Sequence, residues 1–218
     1  MSAEKVSIHL ANILGKNLEK SDEEIAVLNY GLFVIIQAVY SIILILVVGL
    51  VTGLLKELVI ISTFSAMMKR YAGGPHASTP NRCLSIGILI ATAFAFLCRY
   101  FIEKLSIHHV MIFILVVIIT SYYVLYLRCP VGSKEKPLKK ESIRTRLRKK
   151  AFKLMNVYSF IVLSLCLIYS IYNNYLIKSI LISILFGIIL QIFTISKTGE
   201  NIVMGLDKYL DKLYKVLH

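Results

Sequence analysis

His76 and Cys83 stand seven residues apart in a short polar stretch, Arg70-Tyr71-Ala72-Gly73-Gly74-Pro75-His76-Ala77-Ser78-Thr79-Pro80-Asn81-Arg82-Cys83. A cysteine becomes a nucleophile as its thiolate, and a neighbouring imidazole can take the proton. A helix N-terminus lowers the thiol pKa further, because its unpaired amides carry partial positive charge. Thr79-Pro80 reads as a helix start, with Thr79 as cap and Pro80 in the first turn. Cys83 would then fall in or just after that first turn, with Arg82 adding positive charge beside it. Acyl transfer also needs donors for an oxyanion, and Gly73-Gly74 could present backbone amides. No Asp or Glu lies near enough in sequence to orient His76, so the site is a dyad or draws its third member from elsewhere.

Other chemistry is less well supplied. His76 and Cys83 are only two ligands for a metal, and His108 and His109 are expected at the opposite membrane face, so no metal is expected. No cofactor is expected either. Of the other three cysteines, Cys98 and Cys166 lie in apolar runs as small hydrophobic residues, and Cys129 adjoins a basic segment. The four show neither CxxC spacing nor a disulfide framework.

The elements that must position this stretch are membrane helices. Of 218 residues, 57% are hydrophobic and the mean hydropathy is +0.75, well above the 45–50% apolar content usual for soluble domains. Residues 5–18 carry Val6, Leu10, Ile13, Leu14 and Leu18 at helical spacing, which predicts an amphipathic interfacial helix. Ser21 and Glu24 have the spacing of a capping box. Apolar runs predict spans near 26–47, 50–68, 83–102, 105–127, 154–177 and 179–196. Lys56-Glu57 lies near one end of the second, and the alternative to a hairpin of the first two spans is one long tilted helix with an interfacial foot. Val203, Leu206, Leu210, Leu213 and Leu217 predict an amphipathic tail, with an Asp211–Lys215 pair at i,i+4. The fold class is therefore all-α: a polytopic membrane protein of about six transmembrane helices with amphipathic interfacial helices at both ends. One domain is expected over 1–218, comprising 1–24, the transmembrane region 25–196 and the tail 197–218.

Charge sets the expected topology. Residues 128–153 read as a loop with eleven Lys and Arg against two Glu, a net +9. Positive loops stay in the cytosol, so this loop, the 69–82 stretch two spans away and both termini are placed there. The net charge of +13 is assigned to such loops and to anionic headgroups, not to a nucleic acid.

The stretch Arg70…Gly73-Gly74-Pro75-His76-Ala77…Cys83 resembles the signature of the AgrB family, the accessory gene regulator B peptidases of Gram-positive quorum sensing. The resemblance extends over roughly residues 5–195, including the amphipathic start, the span pattern and the basic loop. It implies a membrane cysteine endopeptidase that cuts an AgrD-like precursor peptide on its C-terminal side. His76 would activate Cys83, the acyl-enzyme would be a thioester, and an internal thiol or hydroxyl of the precursor would displace Cys83 to close a thiolactone or lactone. It also implies a homodimer in the membrane of a Gram-positive bacterium. Because such precursors have acidic tails, Lys139, Lys140, Arg144, Arg146, Arg148, Lys149 and Lys150 become candidates for recruiting the peptide. Arg70 is a candidate for orienting it. Two other readings stay open: a small peptide exporter, and a non-catalytic membrane scaffold whose amphipathic ends mediate association.

Overall fold

The computed structural model describes residues 3–132 and 140–217. Among them it has eight α-helices: α1 (Ala3–Asn17), α2 (Asp22–Thr52), α3 (Leu55–Ala72), α4 (Pro80–Lys104), α5 (Ile107–Arg128), α6 (Glu141–Tyr172), α7 (Tyr175–Ile195) and α8 (Lys197–Leu217). The chain divides into two compact units, Met1–Val47 and Val48–His218.

In the first unit, α1 buries a narrow stripe of Ser7, Ala11 and Gly15, and Leu10, Ile13 and Leu14 of its predicted apolar stripe are exposed. The expected capping box closes the turn into α2. Glu24 accepts from the Ser21 amide at 3.0 Å, and the Glu24 amide donates to the Ser21 hydroxyl at 3.4 Å. The turn is tight, since a Cβ on Gly15 would lie 2.4 Å from Ile25 Cγ1.

In the second unit, four of the predicted spans become helices over their apolar runs, α4, α5, α6 and α7. Across the whole chain, α2, α4, α5, α6 and α7 are long and apolar enough to cross a membrane, so this is a multi-pass membrane protein. The remaining predicted span, 50–68, is displaced. α2 runs on to Thr52 and ends where Gly53 takes φ 68° and Leu54 N–H donates back to Gly49 O at 2.9 Å. This is a left-handed helix stop that glycine permits at no steric cost. The helix that follows, α3, is 18 residues long and carries Lys56, Glu57, Lys69 and Arg70 at its two ends, which leaves it short of an independent span.

The charge in α3 is accommodated by pairing. Glu57 is only 2% exposed, and Arg99 of α4 donates to both its carboxylate oxygens at 2.9 and 3.0 Å and to Gly53 O at 2.9 Å. An ionisable group among membrane helices persists when it faces the bundle and is paired, and this pair ties α3 to α4.

The centre of the unit is α7. It packs against α3, α4, α5, α6 and α8, and Leu181, Ile182, Leu185, Ile188 and Ile195 are fully buried. A helix apolar on every face can be buried on every face. Gly187 lets α3 approach: a Cβ there would stand 2.9 Å from Phe64 Cβ and 3.0 Å from Ile61 O. Tyr158 of α6 closes the same layer by donating to Phe64 O at 2.9 Å.

The basic segment differs from expectation. It is not a loop throughout, because α6 begins at Glu141 and carries residues 141–153 as its first turns. The helix continues past the apolar run because exposed Lys and Arg favour helix as well as most residues do. Residues 133–139, Lys139 included, lie outside the described residues.

Replacing Gly187 by Val should lower stability by about 1–3 kcal/mol through overpacking of the α3–α7 contact, read as a fall in thermal unfolding temperature in detergent. Gly31→Ala, where nothing stands within 4 Å of the new methyl, should leave that temperature almost unchanged.

Candidate active site

The segment between α3 and α4 begins at a backbone corner. Gly73 caps α3 with φ 75° and ψ −154°, its amide donating to Lys69 O at 2.9 Å. Val131 lies alongside: its amide donates to Ala72 O at 2.9 Å, and Gly74 N–H donates to Val131 O at 3.3 Å. A Cβ on Gly73 would sit 2.0 Å from Val131 O, so both the dihedral and the contact require glycine. Gln191 of α7, 1% exposed, donates to Gly73 O at 2.9 Å. The corner thus brings together α3, α7 and the segment after α5.

This arrangement alters one expectation. The amides of Gly73 and Gly74 are both engaged within the protein, so neither is presented as a donor for an oxyanion. Their amides build the corner instead.

Beyond the corner the chain returns to α4. The Thr79 hydroxyl accepts from Arg82 N–H at 3.4 Å, Thr79 O accepts from Cys83 N–H at 3.0 Å, and Pro80 fills the first helical position. Asn81 is exposed and Arg82 is engaged with acids of α8, so the turn Pro80–Cys83 stands at the polar boundary. The part of α4 that follows, from Leu84 to Lys104, is about 31 Å long and is apolar apart from Arg99, Glu103 and Lys104 towards its far end.

The structure brings the two sequence-predicted residues together. The His76 side chain and the Ala77 amide both act on the Cys83 thiol in the direction that favours its thiolate. The imidazole holds the thiol below its ordinary value, at about 7, against the upward push of burial. Lys69 and the Ala77 amide act in the same direction as His76. His76 is exposed and Cys83 half-buried, whereas Cys98, Cys129 and Cys166 are buried. Cys129, at the C-cap of α5, is pushed up to about 11 by burial. Only Cys83 combines access with a lowered pKa, the setting that a reactive thiol needs.

The positive charge beside Cys83 comes from a different residue than expected. Arg82 lies 2.7 Å from Asp211 and 3.6 Å from Asp207, and these carboxylates offset its charge. Lys69 is the cation that acts on the sulfur. The Ala77 amide, Lys69 and the α8 acids were not legible as site members. The acids are 129 residues from the groups they hold, and their one local signal was i,i+4 spacing on a single helix face.

The remaining candidates lie on or near the basic turns of α6. Arg70 and Lys150 both stand 5.8 Å from the Tyr71 ring, one from α3 and one from α6. Arg148 is committed to α5: it donates to Tyr126 O at 2.7 Å and stacks 5.1 Å over the Tyr126 ring. Lys140, Arg144, Arg146, Lys149 and Lys150 are exposed. An open cleft of about 630 Å³ is lined by Glu141, Ser142, Thr145, Arg146, Lys149 and Lys150. It does not include His76 or Cys83. Among the described residues no cluster of three or more His, Cys, Asp or Glu could hold a metal.

Comparison with known proteins gives a consistent picture. The accessory gene regulator B family model matches residues 7–195. AgrB-like protein 2 of Clostridium perfringens strain 13 is 30% identical over 212 residues, covering 96% of this chain and 99% of the relative. An AgrB-like protein of C. perfringens strain SM101 is 28% identical with the same coverage. No solved structure matches this chain.

The site predicts a pH profile. Alkylation of Cys83 by a water-soluble maleimide should rise with a midpoint near pH 7 and outpace the other three cysteines. In His76→Ala the lowering influence of the imidazole is lost, so the midpoint should move upward, and the rate at pH 7 should fall roughly five-fold for the first unit of that move and roughly ten-fold for each further unit.

Proposed function

The chain belongs to the accessory gene regulator B family, which places it in the accessory gene regulator system, and from that premise we propose that it is a membrane-embedded cysteine endopeptidase that processes an AgrD-type precursor peptide. The observation that carries this reading is the convergence of the His76 side chain and the Ala77 amide on the Cys83 thiol, which they hold below its ordinary pKa at the start of α4.

The chemistry follows from that arrangement. His76 takes the proton of Cys83, and the thiolate attacks the scissile carbonyl carbon. Negative charge moves to the carbonyl oxygen, next to a backbone amide already aimed at the site. As the intermediate collapses, the C–N bond breaks, and the imidazolium gives its proton to the leaving amine of the C-terminal tail. The rest of the precursor stays on Cys83 as a thioester. An internal thiol or hydroxyl of the peptide then gives its proton to His76 and attacks the thioester carbonyl. The new ring bond forms, the bond to Cys83 breaks, and the thiolate–imidazolium pair is restored. No water is consumed, so excluding water from the acyl-enzyme favours ring closure over hydrolysis. A thiol at the polar boundary of an apolar helix, half-buried beneath the return segment, suits that requirement.

Recruitment is assigned to charge. The exposed Lys and Arg of α6 flank an open cleft, and Lys150 and Arg70 meet at Tyr71, two residues before the Gly73 corner. An acidic precursor tail drawn to α6 would pass towards the residues that precede His76. We place the site on the cytosolic side, because the basic turns of α6 and the 69–82 stretch carry the positive charge that stays inside. A homodimer in the membrane of a Gram-positive cell completes the proposal.

Cys83→Ser and His76→Ala should each abolish release of the precursor tail, by at least about a hundred-fold, while membrane insertion and thermal stability stay as in the parent. Tail release at the parent rate by both variants, measured by mass spectrometry of the peptide, would contradict the proposal.

A further inference from the structure

The amphipathic tail helix is built into the His–Cys segment from outside the residues matched by the family. α8 begins immediately after α7, and the turn between them is closely packed. The Ser196 hydroxyl accepts from Gly199 N–H at 3.1 Å. A Cβ on Gly199 would stand 1.9 Å from Phe193 O. Arg128, at the end of α5, donates to Ile195 O at 3.1 Å and lies 2.7 Å from Glu200. These contacts fix the direction in which α8 leaves the bundle, and α8 packs against α4 as well as α7.

Two turns further on, α8 presents Asp207 and Asp211 on one face, four residues apart. Asp207 accepts from the Ser78 amide at 3.0 Å and from the Ser78 hydroxyl. Asp211 accepts from Arg82 at 2.7 Å, and Asp207 stands 3.6 Å from the same guanidinium. Ser78 is two residues after His76, and Arg82 is the residue before Cys83. The carboxylates therefore grip both halves of the dyad, the loop that carries the imidazole and the helical turn that carries the thiol. In the loop between Gly74 and Thr79, Ser78 is held by the Asp207 carboxylate of α8. The Arg82–Asp207 pair is largely shielded, with side chains 21% and 13% exposed, and Asp211 is more open at 36%. Shielding from water strengthens such pairs beyond their surface worth.

We propose that α8 is a positioning strap for the dyad, with Asp207 and Asp211 as positioning residues that hold Ser78 and Arg82 so that the His76 imidazole and the Ala77 amide meet the Cys83 sulfur. The strap rests on the peptidase reading only for its purpose; the placement it describes is independent of any substrate. A close contact between a loop side chain and a helix side chain needs both backbones held to within about half an ångström. The corner at Gly73 fixes one end of the loop and the Thr79 cap the other. The strap fixes the middle.

The test is a double-mutant cycle on thiol reactivity, using the full chain in lipid nanodiscs and a water-soluble maleimide at pH 7. In the parent, His76→Ala slows Cys83 alkylation. Asp207→Ala should slow it up to about five-fold by itself, as expected at pH 7 for a thiol losing up to one unit of pKa depression. Adding His76→Ala to Asp207→Ala should then slow it little further, because the imidazole is already out of place. Asp207→Glu should recover part of the parent rate, and Asp211→Ala should reproduce the slowing more weakly. Cys129, buried in the parent, reports on folding throughout. An unchanged rate in Asp207→Ala, or effects of the two substitutions that simply multiply, would overturn the strap. Unfolding of all three α8 variants, seen as labelling of Cys129, would overturn it too, since α8 would then serve stability and not placement. If the coupling is found but Cys83→Ser still releases the precursor tail, the strap stands and the peptidase reading falls.

Discussion

The left-handed backbone at Gly73 is the constraint on which the site depends. α3 has to stop at Ala72 and the chain has to reverse into α4 within seven residues, and those residues have to bring an imidazole onto the first turn of the new helix. Only a glycine can hold φ 75° with Val131 O where its Cβ would be. The corner is supported on three sides: Lys69 O closes α3, Val131 pairs with the turn, and Gln191 reaches it from the centre of α7. Each support comes from a different element, so the packing of the bundle around α7 is transmitted directly to the residues that precede His76.

Electrostatics then separates two cations that lie close together in the chain. Arg82 is adjacent to Cys83 in sequence, but its charge is taken up by Asp207 and Asp211. Lys69 is fourteen residues away in sequence and acts on the sulfur. The difference has a purpose in the proposed chemistry. A guanidinium left free beside the thiol would stabilise the thiolate permanently and would make it a poorer nucleophile and a better leaving group. A neighbouring imidazole stabilises the thiolate and also carries the proton to the departing amine. Pairing Arg82 with the tail helix leaves His76 as the main influence on Cys83 and turns the arginine into a structural clamp.

What was legible in the sequence was local. The Ser21–Glu24 box, the Thr79-Pro80 start and the placement of Cys83 in the first turn of α4 all depend on residues within four positions of each other, and all three are found. The His76–Cys83 contact was legible because a return segment of that length has few ways to go. The role of Gly73-Gly74 was not, because the partner that engages the Gly74 amide is Val131, on a segment after two further helices. The extent of α6 was hidden because hydropathy marks where a helix enters lipid and is silent about a charged helix in water. The central position of α7 was hidden for a related reason: a helix apolar all round looks the same whether lipid or protein covers it. α8 was recognised as amphipathic, but which surface its acids meet is a tertiary fact.

The central claim is that the Cys83 sulfur forms the bond to the precursor, and the most direct measurement is to catch that bond. Purified protein in nanodiscs would be mixed with a precursor whose internal ring-closing thiol or hydroxyl has been replaced by a methyl group, then quenched in acid and mapped by peptide mass spectrometry. The account predicts a hydroxylamine-sensitive adduct on Cys83 that carries the N-terminal part of the precursor without its tail, and no such adduct in His76→Ala. Tail release with Cys83 unmodified, or an adduct on another residue, would contradict it.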